Sequence, residues 1–280
     1  MSALNATDHR RVARFVEAVA GIRLPAHKRD LVTSRLRRRL EATGHDNVKS
    51  YLDFALADEQ RNAEQLELVD ALTTNRTDFF REGRHFEFLA EWVRSGRGQG
   101  VPASRSPLRV WSAGCATGEE PYTLAMVLLE LQAVLPGFDF ELWGSDISRS
   151  SLERARAGIY PQARVEPVPT ALRRRYLLRS RDREAQLVRV GPSVRERVRF
   201  FPFNLIRDDY PDPGSLDVIF CRNVMIYFGE QSRGHILDNF HRCLCPGGLL
   251  FLGHSESIGN LQTGFESVAP TIHRRRADRP

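Results

Sequence analysis

The sequence predicts an α/β protein with a doubly wound, mostly parallel sheet, a small N-terminal helical domain and an inserted β-hairpin subdomain. Three observations predict this class. Apolar residues repeat at helical spacing through the first quarter of the chain. From Leu108 onward, short apolar runs alternate with amphipathic stretches, a pattern typical of a parallel sheet covered by helices. A turn of small residues, Gly114–Glu120, separates the first of these runs from the helix after it, as in nucleotide-binding folds.

Helical patterns fill the N-terminal part of the chain. The first begins at Thr7-Asp8, has an apolar face and ends at Gly21, and the second ends at Gly44. The spans expected for the second helix and for two shorter ones are Ala26 to Thr43, Val48 to Leu56 and Ala63 to Leu72. These patterns predict a small helical domain over residues 1–72.

The second predicted helix carries a basic face. At about 100° per residue, Lys28, Arg35, Arg38 and Arg39 fall on the side away from the apolar stripe. This face suits an acidic partner helix, and a solvated charged face is the alternative interpretation. The residues alone leave both open.

The rest of the chain predicts alternating strands and helices. It follows a linker and cofactor-contacting segment at residues 73–107, whose polar part, Ser95–Pro107, is expected to be an exposed loop. The predicted strands are Leu108–Ala113, Phe140–Gly144, Val198–Phe203, Leu216–Cys221, Leu249–Leu252 and a closing hairpin of Phe265–Val268 with Thr271–Arg274. The predicted helices are Pro121–Leu135, Ser151–Gly158 and Gln231–Leu244. We therefore predict a sheet domain over residues 108–280, with a β-hairpin subdomain inserted at about 172–199.

Composition and charge argue against several classes of protein. No apolar run approaches the roughly 18 residues that span a bilayer, and the N-terminal residues lack the apolar core of a secretory signal. The four cysteines, Cys115, Cys221, Cys243 and Cys245, lack paired metal-ligand spacing. We expect buried thiols in a reducing cytoplasm and no metal site. The formal charge of +6 and the pI near 9.5 indicate an acidic partner or, alternatively, only solvated helix faces.

Polar residues follow three of the predicted strands, at the edge where α/β sheets bind ligands. They are the Gly114–Glu120 turn, Asp146 and Asn204. An acidic residue can accept hydrogen bonds from a ribose diol, and an asparagine can orient an adenine. A dinucleotide would favour Gly-x-Gly-x-x-Gly, whereas this turn has two glycines followed by Glu119 and Glu120. A carboxylate there would favour the ammonium group of S-adenosylmethionine, so this cofactor is expected, and NAD is the alternative.

At these residues the chain resembles the chemotaxis receptor methyltransferases of the CheR type, which esterify glutamate side chains with S-adenosylmethionine. The resemblance covers nearly the whole chain and rests on four stretches, Leu72–Glu82, Trp111–Tyr122, Phe220–Phe228 and Gly247–Glu256. The first, with Thr-Thr-Asn-x-Thr-x-Phe-Phe-Arg, and the third, with Cys-Arg-Asn-Val-Met-Ile-Tyr, are specific. The resemblance implies a class I S-adenosylmethionine-dependent methyltransferase fold in residues 108–280 and receptor recognition by residues 1–72.

The resemblance also implies the site residues and the cofactor product. Its cofactor contacts correspond to Asn75, Thr77, Arg81, Glu120, Asp146, Asn204, Leu205, Arg222 and Asn223. Glu119 is the alternative to Glu120. Arg81 and Tyr227 are the candidate catalytic residues beside the transferred methyl group, and S-adenosyl-L-homocysteine is the product.

The expected chemistry needs few catalytic groups. A glutamate side chain with a pKa near 4.3 is already an anion at neutral pH, so no general base is required. Arg81 can hold that carboxylate, and Tyr227 can donate a hydrogen bond to one of its oxygens. The rate then depends on placing the oxygen in line with the methyl group and removing its water. We accordingly expect His254 to be structural.

The expected partners are the cytoplasmic helices of chemoreceptors. The hairpin tip, Arg179–Glu184, lacks the glycines associated with members that grip a receptor's C-terminal pentapeptide, so no such tether is expected. We further expect no nucleic acid partner, no membrane insertion and a monomer in the cytoplasm. Two alternatives are a signalling scaffold that binds the cofactor without turnover and a nucleic-acid methyltransferase. An Asn/Asp-Pro-Pro-Tyr motif, typical of base-modifying enzymes, is missing from the sequence.

Overall fold

The computed structural model describes residues 4–57, 63–96, 107–182, 184–259 and 264–276, which form two compact units. The helical unit comprises Met1–Thr74 with Asn204–Asp208 and Tyr227–Arg233, as far as these are described. The sheet unit comprises Asn75–Phe203, Asp209–Ile226 and Gly234–Pro280, within the same limits.

The secondary structure follows the predicted alternation. The helices are α1 (Ala6–Ala20), α2 (Arg29–Thr43), α3 (Val48–Ala55), α4 (Ala63–Leu72), α5 (Arg84–Arg94), α6 (Glu119–Gln132), α7 (Arg149–Ala157), α8 (Thr170–Tyr176), α9 (Pro192–Arg195) and α10 (Glu230–Cys243). The strands are β1 (Leu108–Ala113), β2 (Phe140–Asp146), β3 (Ile159–Pro161), β4 (Leu177–Arg179), β5 (Leu187–Val190), β6 (Val198–Pro202), β7 (Leu216–Cys221), β8 (Leu244–Leu252), β9 (Phe265–Ala269) and β10 (Ile272–Arg275).

The helical unit buries the apolar faces of α1 to α4 in one core. The side chain of Asn5 caps α1 by accepting the N–H of Asp8, and Gly21 ends the helix with a φ of 70°. The core contains Val12, Val16, Val32, Leu36, Leu40, Tyr51, Leu52 and Leu68. The apolar stripes predicted for the first two helices are therefore confirmed as buried faces. Helix α2 begins at Arg29, because the turn before it, Ala26–Lys28, is a short 3-10 helix.

Two arginines of the predicted basic face support the helical unit itself. Arg35 donates from Nη1 to the carbonyl oxygens of Leu72 and Thr73, both at 2.7 Å, and so satisfies the end of α4. Arg39 donates from Nη2 to Glu64 Oε2 at 2.5 Å. Only Arg38 of the four predicted basic residues is exposed. Fewer of these basic residues are therefore exposed to a partner than the helical periodicity suggests.

The sheet unit is built on seven strands in the order β6-β2-β1-β7-β8-β10-β9. The pairs from β6 to β8 are parallel, and β10 runs antiparallel to both β8 and β9. Because the chain winds outward from β1 in both directions, the predicted doubly wound sheet is confirmed, and its switch point lies between β1 and β7. All six residues of β7 are buried, as a central parallel strand requires.

The inserted β subdomain is a three-stranded antiparallel sheet in the order β3-β5-β4. Strands β4 and β5 form the predicted hairpin, with Leu177 opposite Val190, and β3 pairs with the other edge of β5. Strand β3 is not predicted from the sequence, because three residues are too few to show an alternating pattern.

Helix α5 lies inside the segment predicted to be a linker. Phe86, Leu89 and Val93 are buried at helical spacing, a periodicity that the sequence already contains. Most of the predicted loop Ser95–Pro107 lies outside the described residues. The four cysteines are buried, as expected. Among the helices that are described, none is long and apolar enough to cross a membrane.

The helical unit contains a partly buried polar cluster whose loss we expect to be costly. Glu64 accepts hydrogen bonds from Tyr51 Oη at 2.6 Å and from Arg39 at 2.5 and 3.0 Å. Glu64→Ala should lower the free energy of unfolding by about 3 kcal/mol, because a hydroxyl and a guanidinium lose their partner away from water. Urea denaturation followed by circular dichroism measures this change.

Glu67→Ala is the matched control. Glu67 also pairs with Arg39, at 3.1 Å, but its side chain is 51% exposed. An exposed ion pair contributes less than about 1 kcal/mol. Equal losses in the two variants would contradict the assignment of Glu64 as the centre of the cluster.

Candidate cofactor site

The turn after β1 has the backbone geometry that only glycine readily adopts. Gly114 and Gly118 have φ values of 82° and 95°. A Cβ at Gly118 would lie 2.8 Å from the Cβ of Ala155, so the turn and α7 approach too closely for a side chain. Helix α6 begins within this turn, at Glu119, two residues before its predicted start. The small residues therefore bring the first turn of α6 close to the ends of the parallel strands.

Asp146 lies against this turn. It ends β2, and its carboxylate accepts the N–H of Ala116 at 2.8 Å and that of Ser148 at 2.9 Å. The residue is 7% exposed. A carboxylate has room for about four hydrogen bonds, so Asp146 can also accept from the hydroxyls of a ribose at this strand end.

Each glutamate of the turn is paired with an arginine. Glu119 accepts from Thr117 Oγ1 at 2.6 Å and from Arg164 Nη2 at 2.7 Å. Glu120 accepts from Ser112 Oγ at 2.7 Å and from Arg222 Nε at 2.6 Å. From the sequence, one carboxylate of this turn is expected to favour the ammonium group of the cofactor. The structure shows that arginines distant in sequence offset both charges, so Glu120 would meet a cofactor as half of an ion pair.

Arg222 joins three of the four resemblance stretches. Besides Glu120, its guanidinium donates from Nη1 to the carbonyl oxygen of Arg81 at 2.8 Å and contacts His85 Nδ1 at 3.0 Å. Its side chain is 2% exposed and lies over the ring of Phe86, with the guanidinium carbon 5.1 Å from the centroid. Burying this cation costs less because its Nε and Nη1 atoms both find acceptors within the fold.

Arg164 holds the segment that contains Asn75, Thr77 and Arg81. It pairs with Asp78 at 2.7 Å, donates to the carbonyl oxygen of Thr77 and also binds Glu119. Asn75, Thr77 and Arg81 are half-buried. Arg164 could not be recognised from the sequence, because it lies between predicted elements and its partners are far away along the chain.

Unfavourable backbone conformations are concentrated in the stretches that carry the family resemblance. Of the six described non-glycine residues with positive φ, four belong to the resemblance stretches, namely Phe80, Glu82, Ala116 and Asn223. Such conformations are unfavourable and persist where surrounding contacts impose them. The clustering marks the motifs as a functional region of the sheet unit.

His85, Glu82 and His254 form a cluster around Arg222. Burial, and then the charge of Arg222, lower the pKa of His85 from 6.5 to about 4. The three residues offer ligand atoms within 4.8 Å of one another. However, Arg222 contacts His85 Nδ1, and Thr271 Oγ1 lies 2.9 Å from His85 Nε2. Both ring nitrogens are thus occupied by the protein, and a metal ion would have to displace a guanidinium.

Three predicted site residues belong to the helical unit. Asn204 donates from Nδ2 to the carbonyl oxygen of Val19 at 2.8 Å, and Leu205 is buried. The carbonyl oxygen of Tyr227 accepts the N–H of Arg23 at 2.8 Å. The Lys28 ammonium lies 5.4 Å from the Tyr227 ring centroid, a cation–π contact. Asn204 is thus held by α1, and Tyr227 by the residues that follow that helix.

The arrangement defines a class of protein. A doubly wound sheet, a glycine turn after β1 and an acidic residue at the end of β2 form a nucleoside-cofactor domain. The described residues of the turn include no lysine to meet a pyrophosphate. S-adenosylmethionine presents a ribose, an adenine and an amino acid as its polar groups. These groups fit the side chains available here, namely Asp146, half-exposed amides and a glutamate whose charge is offset by an arginine.

Comparison with known proteins identifies the family. Residues 7–73 match the family described as "CheR methyltransferase, all-alpha domain", and residues 75–273 match "CheR methyltransferase, SAM binding domain". The chain belongs to the CheR methyltransferase family. S-adenosylmethionine is therefore the cofactor, and the chain is a methyltransferase.

Named relatives extend over nearly the whole chain. The "Chemotaxis protein methyltransferase" of Salmonella typhimurium is 40% identical over 99% of this chain and 93% of its own length. "Chemotaxis protein methyltransferase 2" of Pseudomonas aeruginosa is 39% identical over 95% of this chain and 92% of its own. The "Chemotaxis protein methyltransferase" of Borreliella burgdorferi is 37% identical over 95% and 93%.

The effect of Arg222 on the pKa of His85 can be measured by NMR titration. We expect the pKa of His85 to be about 4 in the native protein and to rise in Arg222→Met, because burial remains while the repulsion by the guanidinium is lost. Arg84→Met is the control, since the Arg84 side chain is 90% exposed, and it should leave the pKa unchanged. A pKa of His85 that is the same in Arg222→Met as in the native protein would contradict this electrostatic coupling.

Proposed function

We propose that this chain transfers a methyl group from S-adenosylmethionine to glutamate side chains on the cytoplasmic helices of chemoreceptors. The products are glutamyl methyl esters, which serve sensory adaptation, and S-adenosyl-L-homocysteine. The observation that carries the proposal is the buried pair of Arg222 with Glu120 at 2.6 Å. Through this pair, and through the bond from Arg222 to the carbonyl oxygen of Arg81, the two family-specific stretches contact the Gly114–Glu120 turn. The relatives named for chemotaxis, at 37–40% identity over nearly the full chain, support the receptor as the acceptor.

The proposed chemistry uses an acceptor that is already ionised. A glutamate carboxylate needs no base at neutral pH. Bound S-adenosylmethionine supplies an electrophilic methyl group. The protein must then hold the carboxylate oxygen in line with the methyl–sulfur bond and exclude water from that oxygen. We assign cofactor binding to Asn75, Thr77, Arg81, Glu120, Asp146, Asn204, Leu205, Arg222 and Asn223.

Arg81 and Tyr227 are the residues proposed to act on the acceptor. Within the described residues, no carboxylate lies at salt-bridge distance from Arg81, and its Nη1 donates only to the carbonyl oxygen of Arg76, at 3.3 Å. Its guanidinium can therefore turn to a carboxylate and bind both oxygens. Tyr227 supplies a hydroxyl that can donate to one of them.

Acceptor recognition is proposed for the helical domain at residues 1–72. Arg37 and Arg38 of α2 are exposed and basic, which suits receptor helices that present several glutamates. Residues 73–107 would connect this domain to the catalytic domain at 108–280. The enzyme would act in the cytoplasm as a monomer, without nucleic acid. No pentapeptide tether is proposed, because the hairpin tip is rich in arginine and lacks glycine.

Labelling tests the reaction class. The protein is incubated with methyl-labelled S-adenosylmethionine and either receptor cytoplasmic fragments or nucleic acid. Label is then expected on the receptor and should be released by mild base, because methyl esters of glutamate hydrolyse readily. Base-stable label on nucleic acid would contradict the proposal, as would cofactor binding without transfer to any receptor fragment.

A pair of variants in the same assay tests the acceptor residue. Arg81→Ala should lower kcat/KM for the receptor fragment by about a hundredfold, a typical loss for one preorganised charged donor. Arg84→Ala removes an arginine three positions away whose side chain is 90% exposed, and it should retain activity. Unchanged turnover in Arg81→Ala would contradict the role assigned to Arg81.

A further inference from the structure

The fourth resemblance stretch, Gly247–Glu256, contributes no residue to the proposed site, yet it ends in a buried carboxylate. Glu256 is 6% exposed. Its Oε2 accepts the N–H of Asn223 at 2.7 Å and that of Gly253 at 2.6 Å, and its Oε1 accepts the N–H of Ile226 at 3.4 Å. The carboxylate therefore holds the backbone of the turn that follows β7 and Arg222.

Backbone N–H groups are the partners that stabilise this charge. Among the described residues, no lysine, arginine or histidine lies within salt-bridge distance of Glu256. Burial raises the pKa of Glu256, and the N–H groups of Gly253, Asn223, Met225 and Ile226 oppose that rise. An ionisable group buried without a counter-ion is unfavourable for stability. Its presence calls for a role other than packing.

The turn that Glu256 holds is strained at one residue. Asn223 has a φ of 60°, in the left-handed region that non-glycine residues seldom adopt. On its other side, a Cβ at Gly253 would lie 2.5 Å from Asn223 Nδ2 and 2.8 Å from its backbone nitrogen. Asn223 is thus confined by the backbone of Gly253 and anchored by the Glu256 carboxylate. These two contacts leave little freedom to the Asn223 side chain.

We propose that Glu256 is a positioning residue that fixes Asn223 in the orientation needed to bind the cofactor. This inference rests on the proposed function, specifically on Asn223 as a cofactor contact. The role assigned to Glu256 is therefore exerted through backbone N–H groups. The carboxylate imposes the left-handed turn, and the turn directs the amide of Asn223.

A double-mutant cycle on cofactor binding tests the proposal. The ligand is S-adenosyl-L-homocysteine, and its Kd is measured by calorimetry at a temperature where every variant is folded. Glu256→Gln and Asn223→Ala should each raise the Kd about tenfold, equivalent to about 1.4 kcal/mol. If Glu256 acts through Asn223, the double variant should bind no more than about twofold more weakly than Asn223→Ala alone.

Asp217→Asn is the structural control. Asp217 is also buried, and it accepts the N–H of Arg109 at 2.8 Å, at the start of β1. This variant should lower the Tm of the protein without ligand and leave the Kd within about twofold of the native value, because the contacts described for the Asp217 side chain are with Arg109 and Cys245, which lie outside the proposed site.

The results distinguish failure of the positioning role of Glu256 from failure of Asn223 as a cofactor contact. If Asn223→Ala raises the Kd and Glu256→Gln does not, the positioning role is overturned while the proposed contact stands. If the two effects multiply in the double variant, Glu256 acts elsewhere and the proposal is overturned. If Asn223→Ala leaves the Kd unchanged, the assigned contact fails and the inference fails with it.

If Glu256→Gln does not fold, a second variant tests whether the position of Asn223 controls cofactor binding. Gly253→Ala keeps the carboxylate but places a Cβ against Asn223. It should raise the Kd about tenfold, because the added Cβ would displace both the amide group and the backbone nitrogen of Asn223. An unchanged Kd in Gly253→Ala would overturn the proposal.

Discussion

The sheet unit depends on the buried ion pair of Arg222 with Glu120, whose Nε and Oε2 atoms are 2.6 Å apart. Removing two charges from water costs several kcal/mol for each ion, and only complete hydrogen bonding offsets that cost. Glu120 obtains a second donor from Ser112, and Arg222 obtains acceptors in the carbonyl of Arg81 and in His85. The pair is therefore stable only when β1, α6, β7 and the turn before α5 are all in place.

This constraint explains why the site residues come from distant parts of the sequence. Arg222 fixes the backbone at Arg81, and Arg164 fixes the backbone at Thr77 while neutralising Glu119. Glu256 fixes the backbone at Asn223. In each case a charged side chain binds main-chain groups next to a residue proposed to contact cofactor or acceptor; Arg222 and Glu256 are buried, and Arg164 is 35% exposed. The left-handed conformation of Asn223 is held in this way by Glu256, and that of Ala116 by Asp146, whose carboxylate accepts the Ala116 N–H.

The sequence predicted those features that arise from local periodicity and glycine geometry. The doubly wound sheet, the buried stripes of α1 and α2 and the turn before α6 follow from spacing that is visible along the chain. The pairing of Glu119 with Arg164 and of Glu120 with Arg222 could not be predicted, because nothing local links residues 45 and 102 positions apart. The same limit applies to the basic face of α2. Periodicity placed Arg35 and Arg39 on it correctly, but it could not show that α4 supplies their partners.

The most direct test of this account is a double-mutant cycle on Glu120 and Arg222, with both unfolding free energy and S-adenosyl-L-homocysteine Kd as readouts. Glu120→Gln and Arg222→Met should each lower stability by about 3 kcal/mol, because each leaves a buried charge without its partner. The double variant should recover at least about 1 kcal/mol relative to the sum of the singles, yet bind the ligand as weakly as the weaker single variant. Strictly additive losses of stability, or native affinity in the double variant, would contradict the account.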